Sequence, residues 1–97
     1  MKENLKQLKE TVERMHECTA KLMGTVYVAE TFQEKTVWQD VVYIFNIMGN
    51  PLAKRCYAWS SPIEGSSKRR FFAVLETPPI KSAQDAVKAS IVYSSRI

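Results

Sequence analysis

The residues in this chain best suited to chemistry are cations set beside aromatic rings. Ser67-Lys68-Arg69-Arg70-Phe71-Phe72 runs three basic residues into two phenylalanines, and Lys54-Arg55 stands just before Tyr57 and Trp59. Cations of this kind hold a phosphate backbone, and flat rings stack on bases. With Lys81 they give six candidate anion contacts: Lys54, Arg55, Lys68, Arg69, Arg70 and Lys81. A strand that reads RNA bases also needs a glycine and further aromatics at fixed distances from its basic residue. Counting from Arg70, Phe71 stands in the glycine place, and Val74 and Thr77 stand where the aromatics belong. The expectation is weak, nonspecific nucleic-acid binding at most, diluted if the two basic clusters fall at opposite ends of one hairpin.

His16-Glu17-Cys18 raises the question of a metal or an activated thiol. A structural zinc site takes four ligands, and the chain has one histidine and two cysteines, Cys18 and Cys56. Residues two apart on a helix also point in different directions. Glu30, Glu34, Asp40, Glu64 and Glu76 do not recur at a spacing that pairs carboxylates, and Gly24, Gly49 and Gly65 stand alone, so no phosphate-cradling loop is written. The sequence therefore predicts no catalytic residue, no metal and no cofactor.

The net charge of +4 is uneven, with six Lys/Arg against seven Asp/Glu in residues 1–49 and eight against three in residues 50–97. A basic half is compatible with an anionic partner but does not require one. The longest apolar run, Val41-Val42-Tyr43-Ile44-Phe45, falls far short of the roughly 20 residues that cross a bilayer. Residues 1–6 mix both charges and lack the pattern of a secretory signal. A cytoplasmic chain without membrane contact is expected, with Cys18 and Cys56 as free thiols.

The elements that must position these residues follow from periodicity. At 97 residues, 45% hydrophobic and 25% charged, the chain has the size and composition of a single domain spanning residues 1–97. Leu5, Leu8, Val12, Met15, Thr19 and Leu22 recur at spacings of three and four, predicting a helix over about 3–23 with Gly24 as its cap. Residues 25–33 are rich in β-branched and aromatic types and read as a strand. A second strand over about 36–48 returns through a short polar turn and ends at Gly49-Asn50-Pro51. Strands over about 54–60 and 68–77 form another hairpin. Pro78-Pro79 stops the last one, and Ser82 with Asp85 three residues on opens a C-terminal helix. The expected fold is α+β in the order αββββα: a four-stranded antiparallel meander with both helices packed on one sheet face.

The second strand is apolar on both parities. Val41, Tyr43, Phe45 and Ile47 alternate with Val42 and Ile44, and Trp38 precedes them. If both helices lie on one face, a subunit or protein partner must cover the other. Trp38, Val42, Ile44, Tyr57 and Trp59 are then the candidate interface of a homodimer. These features describe a small non-catalytic oligomeric binding or adaptor module. The alternatives are a sequence-tolerant nucleic-acid binder using the basic second half, and a small-ligand binder or enzyme with a pocket between sheet and helix. Neither substrate nor partner is written in the residues.

Overall fold

The computed structural model describes the backbone of residues 2–63 and 65–95, and within these the side chains except those of 2–4, 32, 35–38 and 92–95. The elements are α1 (Lys2–His16), β1 (Thr19–Phe32), β2 (Lys35–Met48), β3 (Arg55–Pro62), β4 (Arg69–Leu75) and α2 (Ala83–Ser95). The four strands form one antiparallel sheet in the order β1-β2-β3-β4. The expected αββββα order and α+β class are therefore what the chain forms. Among the described residues, no helix is long and apolar enough to cross a membrane.

The first helix ends seven residues before the expected stop. Glu17 adopts a left-handed backbone conformation with φ of 48°, and the Cys18 amide donates to the Glu13 carbonyl at 3.2 Å. That 6→1 bond is a Schellman cap, with Glu17 in the place glycine usually takes. Asn50 braces the same end: its side-chain amide donates to the His16 carbonyl, while its Oδ1 accepts from the amides of Leu52 and Ala53. Thr19 and Leu22, read as helical, belong to β1. Their spacing fits a helical stripe, but Thr19-Ala20-Lys21-Leu22 also alternates polar and apolar, and the strand wins by pairing Thr19 with Met48 and Leu22 with Phe45.

β1 carries a bulge at Met23, between the pairs Leu22–Phe45 and Gly24–Ile44. Side chains in a strand alternate between faces, so one extra residue inverts the parity of everything after it. Ala20 thus packs in one core and Val28, also even-numbered, in the other. At the far end of the hairpin, Gln33 and Glu34 form a two-residue turn with φ of 52° and 64°. Both central residues are left-handed, as the twist of a tight hairpin requires.

The helices lie on opposite faces of the sheet, which corrects the expectation of one shared face. Leu8 and Val12 of α1 are buried with Phe45, Ile47, Cys56, Ala58 and Ala73. Ala83, Ala86 and Val87 of α2 are buried with Val28, Val42, Tyr57 and Trp59. The register requires this division: Phe45 is paired with Cys56 and Ile44 with Tyr57, and neighbouring pairs point to opposite sides. Over residues 41–47, both apolar faces of β2 are therefore covered within one chain. Met15, part of the apolar stripe that predicted the helix, is exposed, and Leu22 is only partly covered.

Candidate functional site

The face proposed for a subunit is occupied. Val42, Tyr57 and Trp59 are buried under α2, Ile44 packs at the edge of the same cluster, and Trp59 stacks on Phe72 with ring centroids 5.1 Å apart. This removes the reason for placing a dimer interface at Val42, Ile44, Tyr57 and Trp59, because a short helix rich in alanine already shields these side chains. The side chain of Trp38, the fifth residue of that set, lies outside the described residues.

The candidate anion contacts do not converge. Cys56 pairs with Leu75 and Pro62 with Arg69, so Lys54 and Arg55 lie at one end of the β3–β4 hairpin and Lys68, Arg69 and Arg70 at the other. Six steps of about 3.3 Å separate the first of these pairs from the last and put roughly 20 Å between the clusters. Arg55 lies 3.9 Å from Glu76, and Arg69 is tied to Ser60 through both the hydroxyl, at 2.8 Å, and the carbonyl. Lys81 stands at the rim of a shallow groove of about 320 Å³ before α2, beside Ser82 and Gln84. Lys54 borders a separate open depression with Lys21, Asn46 and Asn50. Lys21, a member of that group, was not among the expected contacts.

The soft ligands serve the fold. His16 Nε2 donates to the Ala73 carbonyl of β4 at 2.9 Å, fixing the tautomer because a carbonyl only accepts. Cys18 lies 3.7 Å from the Val12 carbonyl, and burial followed by the nearby Glu13 charge raises its pKa. Burial, and then Cys18, pushes the Cys56 thiol up to about 12. The reactive thiolate is disfavoured at both. Tyr57 donates to the Glu76 carboxylate; burial first, and then that bond, push its hydroxyl up to about 12. Among the described residues, no three His, Cys, Asp or Glu side chains group as metal ligands, and every buried side-chain N or O has a partner.

What the meander leaves open is an edge. β1 and β4 are the outer strands. In an antiparallel ladder, residues alternately turn both main-chain groups toward one neighbour or the other. The Ile47 amide donates to Lys54 on the β3 side, so its partner Ala20 must face outward. Indeed the Ala20 amide donates to Glu13 Oε2 at 2.8 Å. Carried along the strand and through the bulge, the same alternation turns Leu22, Thr25, Tyr27 and Ala29 outward. Ala29 agrees, because its carbonyl accepts from the Gln84 side-chain amide at 3.1 Å. Gln84 also donates to the Glu30 carboxylate. Each helix therefore sends one side chain over the edge of β1: Glu13 from α1 and Gln84 from α2.

Between these two clamps, among the described residues, no strand lies opposite Leu22, Thr25 and Tyr27. Four apolar side chains along that stretch are open: Tyr27 is 62% exposed, Met23 51%, and Leu22 and Val26 each 38%. β4 is half as long, and His16 from α1 holds its Ala73 carbonyl. Sequence reasoning missed this site, since Glu13 and Gln84 look like ordinary surface residues until the strand order is known. No family model, curated protein or solved structure matches the chain.

Proposed function

We propose that the chain is a non-catalytic binding module that takes an extended polypeptide segment along the outer edge of β1. One observation supports this reading: Leu22, Thr25 and Tyr27 turn their main-chain groups outward between two side-chain clamps, in a stretch where Leu22, Met23, Val26 and Tyr27 are exposed. Native sheets usually blunt a long edge with charge, proline or a covering loop. Here the blunting is confined to the two ends. Amide and carbonyl groups at strand spacing are matched by another strand, which supplies affinity through the main chain and selectivity through alternate side chains. Leu22 and Tyr27 offer contacts on the α1 face and Val26 on the α2 face. The nucleic-acid reading has less behind it, because the basic residues stand apart and two of them have partners within the chain.

The test is selection of random displayed peptides against the full chain, repeated with Tyr27→Pro. Proline removes an amide that makes no bond within the sheet, so the edge is blocked while the ladder is kept. Circular dichroism checks that the fold survives. Peptides enriched on the wild type are expected to lose about tenfold or more in affinity on the variant. Equal binding to both chains, or no enrichment on a chain that sediments as a monomer, overturns the reading.

A further inference from the structure

We infer that the strand this edge accepts is β1 of a second copy, paired antiparallel about a two-fold axis through Thr25; the inference rests on the strand-addition reading above. From one clamp to the other, the outward residues are Ala20, Leu22, Thr25, Tyr27 and Ala29, and the bulge at Met23 absorbs the extra residue so that they follow one another as successive outward positions. Thr25 is the middle one, and the outermost two are already engaged by Glu13 and Gln84. Two copies related about Thr25 place Leu22 opposite Tyr27 of the other copy, and Met23 with Gly24 opposite Val26. A shift by one pair in either direction would force the ladder onto a clamped residue. The clamps therefore select the register.

That register is self-complementary in its side chains. The four exposed apolar residues, Leu22, Met23, Val26 and Tyr27, meet one another across the axis, and the symmetry makes the contact isologous. Lys21 and Glu30 are the charged residues of the stretch from Thr19 to Thr31. Lys21 falls opposite Val28 of the other copy and diagonal to its Glu30 on the same face, within reach of long side chains. The axis repeats this pair of unlike charges and sets no like charges opposite one another. An unrelated segment would satisfy the main chain but has no reason to present these side chains in this order. The product is a continuous eight-stranded sheet carrying α1 helices on one face and α2 helices on the other.

Sedimentation equilibrium of the full chain, with amide hydrogen exchange read across a concentration series, tests this. The expected results are a dimer at tens of micromolar and protection at Leu22, Thr25 and Tyr27 that rises with concentration. Tyr27→Pro is expected to sediment as a folded monomer. Lys21→Glu is expected to weaken the dimer by about tenfold, more at low salt than at high, and adding Glu30→Lys to restore it. A wild type that stays monomeric, or a dimer indifferent to Tyr27→Pro, overturns self-pairing. If the monomeric chain still selects peptides that Tyr27→Pro rejects, the edge reading stands and only the identity of its occupant falls.

Discussion

Under α1, the helix brings the bulky side chains, Leu8 and Val12, and β3 brings small ones, Cys56 and Ala58, around Phe45, with Phe71 and Leu75 of β4 only partly buried against them. Under α2 the assignment is reversed: the helix buries Ala83, Ala86 and Val87, and β3 buries Tyr57 and Trp59. The alternation along β3, small on one side and aromatic on the other, sets this division. A close-packed interior needs large groups to meet small ones, and either layer can supply either kind. A helix therefore need not look strongly amphipathic to cover a sheet face, provided the sheet supplies the volume.

Truncation at the two large centres would strain this symmetry most. Phe45→Ala and Trp59→Ala each remove a fully buried ring, one from each face, and each is expected to cost about 3–5 kcal/mol in urea denaturation. A much smaller loss for Trp59 would mean that α2 is a loose cover and not half of the core. Overfilling comes next. Ala58→Leu and Ala86→Leu put bulk where the other layer already supplies it, and each is expected to cost about 1–3 kcal/mol by the same measurement. An Ala86 substitution without cost would show that α2 floats over the aromatics.

The smallest effect is expected in alkali, and it separates the faces by pH. Cys56 under α1 and Tyr57 under α2 are both pushed up to about 12, from ordinary values of 9.0 and 10.0. Their neutral forms are favoured in the folded state, so the stability they contribute is complete below the ordinary value and is lost as pH rises through the shifted one. Denaturation midpoints of the wild type should fall from about pH 9 upward; Cys56→Ala should remove the onset of that fall, and Tyr57→Phe the part that begins near pH 10. Identical pH profiles for all three chains would remove both groups from the account.

The element order was legible because its punctuation is local: Gly49-Asn50-Pro51, Pro78-Pro79 and the Ser82–Asp85 cap each act within a few residues, and the Asp85 amide does donate to Ser82 Oγ. The length of α1 was not legible. Glu17 takes a left-handed conformation without glycine to announce it, and Gly24, read as the helix cap, sits instead beside the bulge in β1. The placement of α2 was missed for the reason its face packs well, since alanines do not mark a helix as a cover for tryptophan. The open edge lay furthest from view. Which strand ends a sheet is a tertiary fact, and the roles of Glu13 and Gln84 depend on it.

The bulge at Met23 makes β1 behave like a text with a shifted reading frame. Before it, the even-numbered residues serve the core under α1; after it, they serve the core under α2. Met23 is the one residue of this stretch without a place in the ladder: were it lost, Leu22 would still meet Phe45 and Gly24 would still meet Ile44, so Val26 and Val28 would keep their face under α2. The bulge is therefore slack in the strand: length is free to drift by one residue at this point, while the regular ladder on either side has no such outlet.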